Sequence, residues 1–403
     1  MKIKSEISQS PELRFPSYHE EWDQLKIGEF VKKISVKNKE NKEYPIYSIN
    51  NNTGFVPQGE QFEGLDSSER GYDISMYKII SENTFAYNPA RINVGSIGYS
   101  GLLNNVIISS LYVCFKTSKN IDDEYLLVYL KSDKFLKQVK RHVEGGVRDY
   151  LFFENFSSIK TNIPKIEEQK RIADFHSKIN RLIDKLSEKI ELLEHYKSGV
   201  LQKIFTAEIQ FNDNSGNPFR KWETRKVGDF LVESRIKGSS GLTAKKITVK
   251  LWGKGVVEKD EKNEGSAQTQ YFKRKSGQFI YSKLDFLNCA FGIIPPELDG
   301  FESTVDLPSF DVSKNLNIKF LLERVKMKDF YKKYGDTADG SRKAKRIHSQ
   351  TFLSFPIEYP CLEEQNKIAD FLTLIDEKIR LSKVKMEQVE NWKKGLLEKM
   401  FIK

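Results

Sequence analysis

The chain has 403 residues, enough for two or three domains that each close a hydrophobic core. With 38% hydrophobic residues, 27 Phe and 17 Tyr it is no disordered polymer, and its formal charge of +10 favours a polyanionic partner, since cations that neutralise phosphates release counterions. No apolar run approaches the roughly 20 residues of a membrane span, no signal-peptide core follows Met1, and Cys114, Cys289 and Cys361 lie far apart, so composition points to a soluble, cytoplasmic protein with thiols as small apolar fillers.

In chain order, Trp22 precedes Lys26-Ile27-Gly28-Glu29-Phe30, and Phe85-Ala86-Tyr87-Asn88 leads into Gly95, Gly98 and Gly101, whose spacing predicts a tight turn. Residues 105–116 are rich in β-branched and aromatic residues and predict a strand. Residues 123–143 place Leu126, Leu130, Leu136 and Val139 toward a core and predict a helix, with 317–334 as its later counterpart. Residues 164–205 predict a long helix whose seam runs through Phe175, Ile179, Leu182, Leu186, Leu193 and Val200. Pro164 and the acidic residues after it fit the helix start, and Gly199 would loosen the last turns. Ser215-Gly216-Asn217-Pro218 is the clearest linker. Lys273-Arg274-Lys275 reads as surface. Residues 360–401 predict a second long helix, with Phe371, Ile375, Ile379, Met386, Val389, Leu396 and Met400 on its seam. A helix of about 40 residues spans about 60 Å, the length of a spacer.

These elements occur twice. The segments 164–205 and 360–401 align without gaps, with about 18 of roughly 42 positions identical. Phe85-Ala86-Tyr87-Asn88 pairs with Phe279-Ile280-Tyr281-Ser282, and Gly98 with Gly292. Ser118-Lys119-Asn120 pairs with Ser313-Lys314-Asn315, and Trp22 with Trp222. The chain is therefore a tandem duplication of one unit of roughly 200 residues. Its segments are a first α/β domain over 1–163, a helix over 164–212, a second domain over 213–359 and a distal helix over 360–403. Two polar-backed helices with matched seams can each bury the seam on the other, the alternative being that each packs separately on its own domain.

No residues for catalysis stand out. There is no Gly-x-Gly-x-x-Gly after a strand, no P-loop and no Asn/Asp-Pro-Pro-aromatic tetrad. Glu168-Gln169-Lys170 has a nuclease-like spacing but recurs as Glu364-Gln365-Asn366 without the lysine, and reads as helix surface. Histidines 19, 142, 176, 195 and 348 show no metal spacing, and His176 is replaced by Leu372 in the second copy, which marks it as structural. The chain reads as a binder with no catalytic residue and no metal.

The pattern Pro-x-x-Glu-Glu-Gln-x-x-Ile-Ala-Asp-Phe closing a variable domain, present at Pro164 and again at Pro360, resembles the specificity subunits of type I restriction–modification systems. Cys361 and Asn366 depart from Lys165 and Lys170 without disturbing the pattern. The resemblance covers essentially the whole chain. It implies two target-recognition domains of α/β (α+β) architecture, each reading half of a split DNA target, held apart by an antiparallel coiled-coil pair of helices that sets the gap. It also implies a scaffold for two methylation subunits and for restriction–translocation subunits. The chain would then need no cofactor, with S-adenosylmethionine, ATP and magnesium belonging to those partners. The residues also allow an alternative, a helical scaffold joining two protein-binding domains without DNA contact.

Base edges need donors and acceptors on exposed loops, with cations nearby for phosphates. In the first domain Asn88, Arg91 and Asn93, with Tyr99 nearby, form one candidate loop, and Arg148 and Tyr150 in the Gly145–Tyr150 stretch form another. The equivalent positions of the second domain are Ser282 and Lys283, and the basic cluster Arg342, Lys343, Lys345 and Arg346. Arginine suits guanine and asparagine suits adenine. Residues 206–209, just past the first repeat segment, offer a place where inserted residues would lengthen the spacer.

Overall fold

A computed structural model of the protein describes residues 10–62, 66–71, 73–144, 149–260, 266–336 and 346–402. They form two compact units, one made of Met1–Glu188 and Lys383–Lys403, the other of Lys189–Ser382. The division falls inside each of two long helices.

The first unit contains β1 Asp23–Lys26, β2 Val31–Ile34, β3 Ile46–Asn50, β4 Gly54–Pro57, α1 Gln58–Phe62, β5 Lys78–Ile80, β6 Phe85–Tyr87, β7 Ile97–Tyr99, β8 Val106–Ile108 and β9 Val113–Thr117. After them come α2 Asp123–Leu130, α3 Asp133–His142, α4 Phe153–Ser158, β10 Lys160–Ile163 and the start of α5 Ile166–Phe205. One antiparallel sheet has the order β2-β9-β6-β7 and a mixed sheet the order β4-β3-β8-β5, while β1 pairs with β10. The central strand β6 carries Phe85, stacked on Phe115 at 4.9 Å, and Tyr87, 5.2 Å from Phe156. The expected strand over 105–116 is two strands in different sheets, because the backbone turns at Ser109, whose carbonyl accepts from Tyr112 N–H. The expected helix over 123–143 is likewise divided. Ser132 accepts from the Phe135 N–H and starts a new helix there, which a continuous apolar face did not reveal.

The second unit repeats the plan with β11 Glu223–Lys226, β12 Leu231–Ser234, β13 Lys237–Ser240, β14 Ile247–Val249, β15 Val256–Glu258, β16 Gln270–Lys273, β17 Phe279–Tyr281 and β18 Phe291–Ile293. There follow β19 Glu302–Ser303, β20 Ser309–Val312, α6 Ile318–Val325, α7 Lys328–Gly335, α8 Ser349–Ser354, β21 Pro356–Tyr359 and the start of α9 Leu362–Lys399. The sheet β12-β20-β17-β18 reproduces β2-β9-β6-β7, and β11-β21 reproduces β1-β10. Phe279 lies 6.5 Å from Phe310 and Tyr281 4.7 Å from Phe352, the pairs that correspond to Phe85–Phe115 and Tyr87–Phe156. Arg274, expected at the surface, is 2% exposed. Its guanidinium donates to Ser303 and Ser309 hydroxyls and to the Ser234, Thr304 and Leu307 carbonyls, a full set of acceptors that permits burial.

The repeated Glu-Glu-Gln triplet proves to be a clamp and not helix surface. Gln169 is buried, accepts from Asp122 N–H and donates to the Asn120 and Pro164 carbonyls. Gln365 makes the same three bonds to Asn317, Asn315 and Pro360. Glu168 is buried against Arg14 in a bidentate pair at 2.8 and 2.7 Å, and its counterpart Glu364 is likewise buried. The triplet fixes each long helix to the domain that precedes it.

The buried and half-buried line of α5 runs Ile172, His176, Ile179, Ile183, Leu186, Ile190, Leu193, Lys197, Val200 and Ile204, alternating steps of four and three. That of α9 is identical in spacing: Ile368, Leu372, Ile375, Ile379, Ser382, Met386, Val389, Lys393, Leu396 and Met400. This is a sustained heptad seam. Leu182, expected in it, is 39% exposed, and Ile183 takes the position. Gly199 and Gly395 do not loosen the helices, which continue through both. In the first unit the start of α5 meets the end of α9, with Phe175 5.9 Å from Trp392. In the second the end of α5 meets the start of α9, where Lys197 Nζ is 2.8 Å from Asp376. The helices are therefore antiparallel partners. The closing Phe401 packs on Tyr125 and Tyr129 of the first unit, and the closing Phe205 on Trp222 and Phe320 of the second.

Past Phe205 the chain leaves the helix at once. Ala207 has φ +60°, and the N–H groups of Glu208 and Ile209 both turn back to the Lys203 carbonyl, a C-terminal cap that residues inserted at 206–209 would not extend.

Candidate nucleic-acid interface

In each unit the central strand leads to the candidate loops and fastens them. The Tyr87 hydroxyl donates to the Leu151 carbonyl at 3.1 Å, and the Leu151 N–H donates to the Pro89 carbonyl. In the second unit Tyr281 donates to the Ile347 carbonyl at 2.9 Å, and the Ile347 N–H to the Lys283 carbonyl. Burial raises both phenols' pKa far above the ordinary range, so they remain donors. Leu151 and Ile347, the described residues that follow the second stretch in each domain, thus lie beside the first.

Their residues are not equally presented. Arg91 is exposed, and Asn93 is half-buried in the short 3-10 turn Ile92–Val94. Asn88 shapes the loop by accepting from the Ala90 N–H. Tyr99 is half-buried and tied to its own domain, its hydroxyl 2.9 Å from Asp123 and its ring 4.8 Å from Phe85. Tyr150 is exposed, stacks on the exposed Phe152 at 5.9 Å and bridges to Glu144. Arg148, Arg342, Lys343 and Lys345 lie outside the described residues. Arg346 is half-buried and 3.5 Å from Asp306. Ser282 and Lys283, expected on an exposed loop, are buried. The Ser282 hydroxyl bonds Asp285 as part of a turn, and burial lowers the Lys283 pKa against the opposing pull of Glu233 and Asp306.

A further element adjoins these loops that sequence reading had not singled out. In the first unit the β3–β4 hairpin tip comes down on Gly98, where a Cβ would lie 3.1 Å from Gly54 Cα. In the second the β14–β15 tip sits on Gly292, where a Cβ would meet Val256 at 2.6 Å. The glycine recognised as a repeat marker is therefore the seat of a hairpin. The first tip carries exposed Asn52 and Thr53, and Asn50 Oδ1 accepts from both their N–H groups. The second carries Leu251 and Trp252, 40% and 59% exposed, between exposed Lys250 and Lys254. Trp252 has φ +61°, a conformation costing about 1–3 kcal/mol for a non-glycine residue. It is held by donation from Trp252 N–H to the Asn288 carbonyl and from Gly253 N–H to the Cys289 carbonyl, both 2.8 Å. Gly54, and Trp252-Gly253, were the turn signals available in the sequence.

A lysine at the end of the helix after β9 or β20 supports each tip. Lys131 Nζ donates to the Asn52 carbonyl at 3.0 Å, and the Lys326 stem packs under Gly253. Lys326 in turn pairs with buried Glu323 at 2.9 Å, and Glu323 with Lys197 of α5 at 3.3 Å. Burial opposes the Glu323 charge, but Lys326 and Lys197 outweigh it and hold the carboxyl below its ordinary range. No described group of four kinds that bind metals, His, Cys, Asp or Glu, gathers into a metal-binding cluster among the described residues. No described helix is long and apolar enough to cross a membrane. Burial raises the Cys114 and Cys289 thiols to about 11, as befits apolar fillers.

The family model of the type I restriction modification DNA specificity domain matches residues 19–195 and 308–391, which take in the central strand of the first unit and most of both long helices. The MjaVIII type I restriction enzyme specificity subunit of Methanocaldococcus jannaschii is 26% identical over 416 residues, covering 96% of this chain and 92% of that protein. The putative MjaX specificity subunit of the same organism is 22% identical, covering 98% and 94%. Among solved structures, the type I S subunit from M. genitalium superposes with a TM-score of 0.56 at 12% identity, over 97% of this chain and 99% of that one. A chain from a study of type I restriction–modification complex assembly and conformational transition gives 0.54 at 14% identity, over 94% and 97%. Duplicated domains, two clamped helices and a family match over more than half the chain agree, and the protein belongs to the type I restriction–modification DNA specificity family.

Proposed function

We propose that this chain is the DNA sequence-recognition subunit of a type I restriction–modification complex. The observation that carries the reading is the duplication itself. The same clamp, central tyrosine and hairpin seat recur in both units, while the exposed loops they support differ. A single chain with two diverged readers suits a two-part target, whereas a homodimer favours palindromes. The long seams would set the gap between half-sites, and the polar backs of the helices would receive methylation and restriction–translocation subunits. S-adenosylmethionine, ATP and magnesium would enter with those partners, and the chain itself would catalyse nothing.

Methylated-site mapping tests this. The chain co-purified with its methylation subunits should modify one two-part sequence, and the chain alone should neither methylate nor cleave. Turnover by the isolated chain, or methylation without sequence preference by the complex, would overturn the reading.

A further inference from the structure

The two hairpin tips share a support and differ in what they display. Each rests on the glycine of β7 or β18 and on a lysine that ends α2 or α6. Nothing in this support requires the exposed side chains. Among the described residues, no hydrogen bond engages the side chains of Asn52 or Thr53. Trp252 presents most of its indole to water on a left-handed backbone that two hydrogen bonds lock in place. An exposed aromatic and an exposed leucine on a fixed, strained turn contribute nothing to closing the core beneath them. Two flanking lysines make the patch unsuited to an apolar protein groove and suited to a polyanion with a stacked apolar interior, which describes duplex DNA.

We propose that the tips are base-reading elements for the two half-sites, an inference that rests on the DNA-reading role above. In the first, Asn51, Asn52 and Thr53 offer the amide and hydroxyl chemistry that distinguishes base edges. In the second, Trp252 with Leu251 is a wedge against one base step, and Lys250 and Lys254 hold the phosphates on either side. Apolar side chains inserted at a step unstack it, and pyrimidine–purine steps yield most readily. The second half-site should therefore contain a deformable step under Trp252, recognised by its deformability and not by a hydrogen bond.

The test uses the complete complex with its methylation subunits and maps methylated sites for the wild type, Trp252→Ala, Trp252→Phe and Asn52→Ala. Trp252→Ala should relax preference about tenfold at one or two adjacent positions of the second half-site and leave the first half-site intact, which serves as the control for folding. Trp252→Phe should restore much of the preference. Asn52→Ala should relax the first half-site alone. A 2-aminopurine placed at the affected step should brighten on binding the wild type and not Trp252→Ala. If the wild-type complex shows no two-part target, the DNA-reading role itself fails. If the wild type has one and every variant keeps it unchanged, the tips are not readers. Loss of methylation-subunit binding by Trp252→Ala would make the tip a protein contact and equally overturn the inference.

Discussion

At the scale of single residues, the seam of α5 holds one group that its duplicate lacks. His176 is 1% exposed with neither ring nitrogen hydrogen-bonded, and Leu372 fills the equivalent place in α9. Burial, with Lys393 nearby, lowers the imidazole pKa to about 4. The unfolded chain therefore takes up a proton near pH 6.5 that the folded chain refuses until about pH 4. Stability is full at neutral pH and falls as pH drops through that window, by about 3 kcal/mol for this group. His176→Leu should remove most of that loss and raise stability at pH 5, as read from thermal unfolding between pH 4 and 7. Parallel curves for the two proteins would contradict the assignment. The same residue explains where sequence reading of the seam went astray. His176 and Lys197 break the apolar pattern, so hydrophobic spacing alone favours Phe175 and Leu182, while Ile179, Leu186 and Leu193 lie on the seam that spacing predicts.

At the scale of elements, local signals did better for long helices than for short strands. A 40-residue helix with a proline before it and a heptad through it declares itself many times over. A strand of three residues such as β7 or β18 does not, since it offers too few positions for a pattern and is defined by its pairing with β6 or β17. Gly98 and Gly292 were visible as a recurrence but not as a seat, because the neighbour that requires the missing side chain is about 40 residues away. Gly98→Val would force its side chain against Gly54, Ile49 and Phe55. The variant should lose about 1–3 kcal/mol through overpacking and relax the first half-site while keeping the second. Calorimetry together with methylated-site mapping checks both, and an unchanged first half-site would remove the hairpin from recognition.

At the scale of the whole molecule, the seams allow the proposed spacer to be altered without breaking it. Thr206 to Ile209 is the wrong place, since the helix is capped there. Seven residues inserted after Glu188 in α5, with seven more after Ser382 in α9, keep both heptads in phase. Each helix gains about 10 Å, close to three base-pair steps. The mapped target should keep both half-sites with a gap about three base pairs longer, and an unchanged gap would mean that something other than helix length sets it. Seven residues in α5 alone should shift one seam against the other and lower the unfolding temperature.

The sharing of helices also imposes an order in time. The second unit is continuous, Lys189–Ser382, whereas the core of the first includes Leu396, Met400 and Phe401. A ribosome adding about 5–20 residues per second needs roughly 10–40 s to make the chain between Glu188 and Lys383. The half of the molecule synthesised first is thus the last that can finish folding. Tyr125 and Tyr129, which Phe401 eventually covers, stay without that cover while the whole second unit is being made.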